Sequence, residues 1–230
     1  LLAALALTVL LVCVLGNYKT LILWSRTHRE VRMYANPTYP INAVIERLKA
    51  AYKTADEPPR HIATDAARGP TASGKPRVVV LVVGETARVA NFQLAGYGRA
   101  TNPELSAIDG LVSFSQLWSC GTATAISVPC MFSRLGRSAF SGARARAEEN
   151  LLDVLQRTGV SVLWRDNNSN CKGVCARVPS EDLRHLKVNG LCNAEGCYDE
   201  VLLHGLDKLI AGSVADRFIV LHMLGSHGPS

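Results

Sequence analysis

The sequence is poor in aromatic and charged residues, and it has no internal repeat of fixed period. Phe, Trp and Tyr make up 6% of the 230 residues, Asp, Glu, Lys and Arg make up 19%, and 48% of the residues are hydrophobic. A chain of this length and composition can bury one substantial core, which excludes a disordered protein. The missing repeat excludes solenoids and propellers.

The positive charge lacks the organisation of a nucleic-acid-binding protein. Lys and Arg number 25 against 19 Asp and Glu, for a net charge of +6. These basic residues are scattered along the chain, and no signature of an RNA- or DNA-binding module accompanies them. We therefore expect no nucleic-acid partner, and an anionic membrane surface is the more economical explanation of the charge.

The chain begins at Leu1 rather than at methionine, which suggests a piece of a longer protein. Residues 1–15 are apolar apart from Thr8. The run is shorter than the roughly 20 residues that cross a bilayer, although Leu21 to Trp24 could extend it. We expect the end of a transmembrane helix over residues 1–24. A signal-peptide core or a buried helix is the alternative, but no basic segment precedes the run and no small-residue cleavage site closes it.

Seven cysteines are present, and no two of them have the C-x-x-C spacing. Six form close pairs, namely Cys120 with Cys130, Cys171 with Cys175, and Cys192 with Cys197. Such pairs predict disulfide bonds and an oxidising compartment. Zinc binding is the alternative, but histidines at ligand spacing are missing. Basic residues after the apolar run would place this side in the cytoplasm, and the cysteine pattern outweighs them.

Apolar runs alternate with amphipathic segments in the second half of the chain. The unbroken run at 77–83 predicts a central parallel strand that is covered on both faces. Helical patterns over 150–157 and 198–210 precede apolar strands at 160–164 and 218–224. This alternation predicts an α/β fold. A proline-rich linker over 56–76 and a membrane-proximal helix over 41–51 are expected ahead of it.

Polar residues follow the predicted strands, and ligands of open α/β sheets bind beyond such carboxyl ends. Glu85 suits a metal ligand, with a helix N-cap as the alternative. His227 suits a metal or an anionic substrate, whereas His222 is expected in the core. The segment 164–172 is crowded with hydrogen-bond donors, which suits a phosphorylated headgroup or merely a solvated turn.

The segment 120–130 is rich in small hydroxylated residues that a disulfide would hold rigid. Rigid hydroxyls beside a metal are candidate nucleophiles. Ser127, followed by Pro129, predicts the start of a helix, where backbone N–H groups favour phosphate oxygens. A capped, disulfide-closed loop without chemistry is the alternative.

Five segments occur in the order VVGETARVANFQLAGYGRATNP, SCGTATAISVPCMFS, WRDNNSNCKGVC, CYDEVLLHGLD and LHMLGSHGP. In them the chain resembles the phosphoethanolamine transferases of bacterial lipid A, a family that includes the mobile colistin resistance enzymes. The likeness extends over most of residues 34–230. It implies an α/β sandwich like those of alkaline phosphatases and sulfatases, with a central, mostly parallel sheet.

The resemblance also implies an organisation and a location. Residues 1–24 would be the end of the last transmembrane helix, 25–74 a juxtamembrane connector and linker, and 75–230 the N-terminal part of a periplasmic catalytic domain. The protein would sit in the bacterial inner membrane, as a monomer, and would contribute to polymyxin resistance.

Site roles follow residue by residue from the same likeness. Thr124 corresponds to the nucleophile, and Glu85 and Thr124 would bind a catalytic Zn²⁺, with a second metal near His227 left open. The remaining substrate-binding positions would be Asn168, Ser169, Lys172 and His227. The implied reaction carries phosphoethanolamine from phosphatidylethanolamine to a lipid A phosphate through a phosphothreonine.

The family completes its zinc site with an Asp-His pair and a further histidine beyond the GSHGP motif. Since the sequence given ends at Ser230, we expect these residues alone to be inactive. The alternatives are the same fold acting on another acceptor, such as a core sugar or a glycan, or a phosphoglycerol transferase or sulfatase. A non-catalytic, membrane-anchored truncation is the alternative of another class.

Overall fold

A computed structural model describes residues 2–18, 20, 41, 44–45, 58–70, 74–194 and 196–225, and the chain divides into two compact units, 1–57 and 58–230. In the first unit, helix α1 spans Leu2–Gly16, and its side chains from Leu5 to Leu15 are exposed. None of the helices within these ranges combines the length and the hydropathy needed to cross a bilayer. Residues 21–24 and most of the predicted helix over 41–51 lie outside the described residues.

The second unit contains a parallel sheet of four strands in the order β1-β4-β2-β3. The strands are β1 (Val78–Val83), β2 (Ser161–Asp166), β3 (Ser180–Asp182) and β4 (Arg217–His222). The predicted α/β fold with a parallel sheet is confirmed.

The predicted central position of β1 is wrong for the part of the sheet that the structure describes. There β1 is an edge strand, and its Val79, Val80 and Val82 are 50%, 40% and 55% exposed. The central strand is β4, which is buried from Ile219 to His222. An apolar run shows that a strand has partners to bury against, but it does not show which elements supply them.

Helices flank the sheet on both sides. They are α2 (Pro103–Ser106), α3 (Thr124–Phe132), α4 (Gly142–Arg146), α5 (Leu151–Arg157) and α6 (Leu206–Ala211), with 3₁₀ turns at Val89–Asn91, Gln93–Ala95 and Asp199–Leu203. Helix α5 begins as predicted, because the Asn150 side chain accepts from Leu152 N and Asp153 accepts from Asn150 N. The helix predicted over 198–210 is instead interrupted by Gly205, whose φ of 69° breaks the helical ladder.

The core consists of two apolar clusters, and alternate residues of β4 point into each. Val220 belongs to the cluster that includes Trp164 and helices α3 and α5, whereas Ile219 and Leu221 belong to the cluster with Val201, Leu202 and α6. Successive side chains of a strand face opposite sides of the sheet. The sheet is therefore covered on both faces around β4, as a three-layer sandwich requires.

A buried polar network supports the carboxyl ends of β2 and β4. His222 and Trp164 are fully buried, and the Asp166 carboxylate accepts hydrogen bonds from Trp164 Nε1 at 2.8 Å and lies 3.1 Å from His222 Nδ1. Burial opposes ionisation of Asp166, but the hydrogen bonds from His222 and Trp164 outweigh it and hold the pKa of the carboxyl below its usual value. His222 is a core histidine, as the sequence predicts.

The segment that follows β4 is held by a carboxylate from the 3₁₀ turn Asp199–Leu203. Asp199 accepts hydrogen bonds from the backbone N–H groups of Leu224 and Gly225, both at 2.7 Å. Gly225 has a φ of +60°, and a Cβ atom there would lie 2.5 Å from the backbone oxygen of Glu85. Only glycine therefore lets the exits of β1 and β4 approach this closely.

Gly225→Ala is expected to destabilise the protein more than alanine at a comparable glycine. Gly159 also has a positive φ, +86°, but a Cβ there would meet no atom within 4 Å. Gly159→Ala should suffer only the backbone strain of roughly 1–2 kcal/mol, which lowers the melting temperature by several degrees. Gly225→Ala adds the clash with Glu85, so thermal unfolding should show a clearly larger loss. Equal losses in the two variants would contradict the close approach.

Ion pairs attach the segment around Arg60 to the body of the second unit. Glu148 accepts hydrogen bonds from Arg134 at 2.7 and 2.9 Å, and it also pairs with Arg60. The bond from Arg134 lowers the pKa of the Glu148 carboxyl from its usual 4.5 to about 2, with Arg60 adding to the effect and burial opposing it.

Because folding lowers the pKa of Glu148, this group stabilises the fold above pH 4.5 and loses that effect as the pH falls towards about 2. Glu148→Gln should therefore lower the melting temperature at pH 7, and its difference from the wild type should shrink between pH 5 and pH 2. Glu104→Gln, at an exposed position in α2 for which no ion pair is seen among the described residues, is the control. A difference that does not change with pH would contradict the assignment.

Candidate active site

Two residues that lie far apart in sequence meet beyond the end of β1. Glu85 follows the strand after Gly84, and Thr124 is the first residue of α3. The Thr124 hydroxyl donates a hydrogen bond of 2.8 Å to Oε2 of Glu85, and both side chains are half-buried. The structure thus brings together the predicted nucleophile and the predicted metal ligand.

Helix α3 begins three residues earlier than predicted. Its first residue is Thr124, and the N–H groups of Ile126 and Ser127 both donate to Ala123 O at 2.9 Å. Pro129 lies inside the helix, so the prediction of a start at Ser127 is wrong. Proline favours the first turn of a helix, but Pro129 is the sixth residue of α3, where it cannot donate a backbone hydrogen bond. The N-terminal end of the helix dipole consequently lies at Thr124.

The Glu85 carboxylate is held from two sides. Its Oε1 accepts hydrogen bonds from the backbone N and the hydroxyl of Thr86, at 3.1 and 3.2 Å. Its Oε2 accepts from Thr124 and, at 3.4 Å, from the side-chain amide of Asn168. Donors on both oxygens orient the carboxylate without burying it, which suits a group that binds a ligand.

Asn168 links the exits of three strands. It is buried, and its side-chain amide donates to Glu85 beyond β1 and, at 2.8 Å, to Met223 O beyond β4. Its own backbone N donates to the Asp166 carboxylate at the end of β2, at 2.7 Å. The predicted substrate-binding residue Asn168 therefore lies within the same site as Glu85 and Thr124.

The other predicted headgroup residues continue from Asn168. Ser169 donates its backbone N and its hydroxyl to Oδ1 of Asn168, at 2.6 and 3.1 Å. The Lys172 ammonium hydrogen-bonds the Ser169 hydroxyl, which places a cation beside the amide. His227 lies outside the described residues, so its predicted role stays a prediction.

All three predicted disulfide bonds are confirmed, and two of them brace the site. Cys120–Cys130 ties the loop before Thr124 to α3, and Cys171–Cys175 closes the loop that carries Lys172. Cys192–Cys197 closes a further loop. Cys13 in α1 is free and exposed.

The donor set at the site fits part of a metal centre. Glu85 and Thr124 offer a carboxylate and a hydroxyl oxygen 2.8 Å apart, and oxygen ligands of both kinds bind divalent metals. Within the described ranges, no group of three or more His, Cys, Asp or Glu side chains could hold a metal ion. Zinc sites normally use three or four protein ligands, so these two residues alone would be too few for such a site.

Two supporting residues are not singled out by the sequence analysis. Asp166 accepts a hydrogen bond from the backbone N–H of Asn168, and Asp199 accepts hydrogen bonds from two backbone N–H groups that follow β4. Asp166 lies directly at the end of an apolar strand, a position that could have identified it. Asp199 carries no comparable local signal, because its partners lie 25 and 26 residues away.

Comparison with known proteins identifies relatives along the whole chain. Residues 77–230 match the sulfatase family model, and residues 1–52 match the model of phosphoethanolamine transferases EptA/EptB. The chain is 46% identical to the phosphatidylethanolamine transferase Mcr-2 of Escherichia coli over 215 residues, which is 89% of this chain and 40% of that protein.

Solved structures give the same result. The integral membrane protein lipooligosaccharide phosphoethanolamine transferase A (EptA) of Neisseria meningitidis is 38% identical, with a TM-score of 0.78 over 99% of this chain and 42% of that one. The C-terminal periplasmic domain of EcEptC from Escherichia coli, in complex with Zn, is 18% identical with a TM-score of 0.54 over 66% of this chain and 44% of that one, and it shares the fold.

The sulfatase match covers the described sheet and the site at its edge, and the relatives match the chain from its first helix onward. The chain spans about two fifths of the length of these relatives. The chain therefore belongs to the phosphoethanolamine transferase family, whose catalytic domain has the alkaline phosphatase/sulfatase-like fold.

Proposed function

We propose that the protein containing this chain transfers phosphoethanolamine from phosphatidylethanolamine to a phosphate group of lipid A. The observation that carries the proposal is the contact between Thr124 Oγ1 and Glu85 Oε2. This contact supports the proposal because a hydroxyl that could act as a nucleophile lies next to a carboxylate at the carboxyl edge of a parallel sheet, where such folds bind their ligands. The relatives named as phosphoethanolamine transferases support the choice of reaction.

The reaction proceeds in two displacements at phosphorus. In the first, Thr124 Oγ1 forms a bond to the phosphorus of phosphatidylethanolamine, and the bond to diacylglycerol breaks, so that diacylglycerol leaves with the threonine proton. In the second, an oxygen of the acceptor phosphate attacks the phosphothreonine and the Oγ1–phosphorus bond breaks. The hydroxyl is restored, and the ethanolamine phosphate now lies on the acceptor.

Each neighbour of Thr124 has a part in this scheme. The threonine hydroxyl is almost wholly protonated at neutral pH and needs activation. Glu85 accepts the hydrogen bond that this hydroxyl donates. The N-terminus of α3 favours phosphate oxygens at Thr124. Ser169 and Lys172 lie next to Asn168 and supply donors and a cation for the headgroup phosphate.

We further propose that Glu85 and Thr124 belong to the ligand set of a catalytic Zn²⁺, with ligands beyond the described residues completing it. Bound zinc would supply a Lewis acid that favours the alkoxide form of the hydroxyl. On this account residues 1–230 alone are inactive, since two oxygen ligands fall short of the three or four that zinc sites use.

The proposed location is the bacterial inner membrane, with the catalytic domain in the periplasm. Three disulfide bonds indicate an oxidising compartment, and the relative from Neisseria meningitidis is an integral membrane protein. We propose that residues 1–24 end a transmembrane bundle, that 25–74 connect it, and that 75–230 begin the catalytic domain.

Thr124→Ala in the complete protein should abolish the modification of lipid A, because it removes the hydroxyl that contacts Oε2 of Glu85. The measurement is the mass spectrum of lipid A from expressing cells, together with their polymyxin susceptibility. Thr122→Ala removes a hydroxyl from the same disulfide-closed loop and should leave the spectrum unchanged. Modified lipid A from Thr124→Ala cells would refute the assignment of the nucleophile.

The same experiment separates the acceptors. If lipid A stays unmodified in wild-type cells while phosphoethanolamine appears on a core sugar or on a glycan, the fold and the nucleophile stand and the acceptor is different. If no phosphoethanolamine is transferred by any variant, a non-catalytic relative is the better description.

Removing the metal should also stop the reaction. Dialysis of the purified complete protein against a chelator is expected to abolish release of diacylglycerol from phosphatidylethanolamine, and Zn²⁺ should restore it. Glu85→Gln keeps the shape of the side chain but loses the anionic ligand, so activity should fall at least about 100-fold and bound zinc should decrease. Full activity with unchanged zinc content in Glu85→Gln would rule out this role.

A further inference from the structure

A cavity of about 690 Å³ opens beside the site, and the charged side chains among its described lining residues are all basic. We call it the basic cavity and define it by Asn168, Ser169, Arg184, His185, Lys187 and Asn189, with Cys192 and Cys197 as further lining residues. We propose that the basic cavity binds the phosphorylated sugar of the acceptor. This inference rests on the proposed function and deepens it, because neither Arg184, His185 nor Lys187 has a role in the steps above.

The basic cavity is continuous with the site of reaction. Asn168 and Ser169 line it, and the Asn168 side-chain amide lies 3.4 Å from Oε2 of Glu85, which is itself 2.8 Å from the Thr124 hydroxyl. A ligand in the cavity therefore lies one side chain away from the carboxylate next to the nucleophile. The second displacement requires such a neighbouring site, because the acceptor must reach a phosphothreonine that still occupies the headgroup position.

The electrostatics of the cavity select an anion. Of the described residues that line it, none is Asp or Glu, whereas Arg184, His185 and Lys187 are all basic. The Arg184 guanidinium donates two hydrogen bonds to the Asp182 carboxylate, at 2.9 and 2.6 Å, so this carboxylate balances part of the Arg184 charge. Lys187 is exposed and adds positive charge, and the exposed His185 and Asn189 add an imidazole and a side-chain amide. Cations and amide donors together suit a phosphate group.

Its volume and charge favour the acceptor over the other anions of the reaction. The volume of about 690 Å³ lies within the roughly 300–1,000 Å³ of small-molecule sites and far exceeds the space that a free phosphate needs. The donor headgroup carries an ammonium, which the basic residues would repel. A phosphorylated sugar carries one or two negative charges without a neighbouring fixed cation, so it matches both the size and the sign.

The walls of the cavity are fixed before any ligand binds. Asn167 is buried, and its side-chain amide donates to Cys197 O at 3.0 Å and to Asp199 at 2.9 Å. The Cys192–Cys197 disulfide closes the facing loop. A preformed site loses little conformational entropy when it binds a ligand, which favours affinity for a weakly held sugar phosphate.

The step that this site serves balances without a further reactant. An oxygen of the acceptor phosphate forms a bond to the phosphorus on Thr124, and the Oγ1–phosphorus bond breaks. The threonine oxygen takes up the proton that a monoanionic acceptor phosphate loses. The product is a diphosphate linkage on the sugar, in which the ammonium of the added ethanolamine balances one of the two phosphate charges.

The test compares Lys187→Glu with Lys208→Glu in the complete, zinc-loaded protein. Lys208 is exposed on α6 and does not line the cavity, so both variants change the charge equally. The first assay measures the burst of diacylglycerol from fluorescent phosphatidylethanolamine without acceptor. The second measures transfer to detergent-dispersed lipid A at varied concentrations. Lys187→Ala, which introduces no new charge, accompanies both assays.

We expect Lys187→Glu to raise the KM for lipid A about tenfold, the effect of losing one charge-assisted contact, with kcat and the burst unchanged. Lys187→Ala should show a smaller rise, and Lys208→Glu should behave like the wild type. An unchanged KM in Lys187→Glu, or an equal rise in Lys208→Glu, overturns the inference while the wild-type burst upholds the proposed function. A loss of the burst in Lys187→Glu alone would assign the cavity to the donor, and a missing burst in the wild type would overturn both proposals.

A competition assay separates the sugar phosphate from phosphate alone. Soluble glucosamine 1-phosphate should inhibit transfer to lipid A by the wild type at lower concentrations than inorganic phosphate, and Lys187→Glu should weaken its inhibition. Equal inhibition by the two anions would show that the cavity recognises only phosphate, and it would overturn the part of the inference that concerns the sugar.

Discussion

The parallel register of three strands is the constraint on which the site depends. Val83 pairs with His222, and His222 pairs with Asp166, so β1, β4 and β2 end in one row. Whatever follows that row is brought together, which is why Glu85 and Asn168 meet although 83 residues separate them. Helix α3 adds Thr124, its first residue, to this edge of the sheet. The positions at which the strands end therefore determine which side chains meet at the site.

Supporting residues below this row make the arrangement rigid. Trp164, Asp166 and His222 form a buried network that fixes the backbone of Asn168. Asp199 holds the exit of β4, and Gly225 allows that exit to touch Glu85. A hydroxyl and a carboxylate that are held in place before a substrate binds need little rearrangement during a reaction. The disulfide bonds add the same kind of restraint to the loops on either side.

The sequence predicts the parts of this structure that depend on local pattern or on motif. Strands β1, β2 and β4, helix α5, the cysteine pairs and the proximity of Glu85, Thr124 and Asn168 all follow from it. Three predictions fail, one where distant residues decide the outcome and two where a single local residue does. The apolar run of β1 could not reveal that the strand lies at the edge of the described sheet, Pro129 obscured the start of α3, and Gly205 interrupts a helix whose apolar spacing continues. The role of Asp199 and the shape of the basic cavity arise only from tertiary contacts, so no local pattern encodes them.

The central claim is that the phosphoethanolamine group passes through Thr124. The most direct measurement is to incubate the purified complete protein with phosphatidylethanolamine in the absence of an acceptor, quench it, digest it and locate the adduct by tandem mass spectrometry. The segment between Cys120 and Cys130 holds three hydroxyl side chains, so fragmentation must separate Thr124 from Thr122 and Ser127. The account predicts a phosphoethanolamine adduct on Thr124 alone. An adduct on Thr122 or Ser127, or none on an enzyme that has released diacylglycerol, would contradict it.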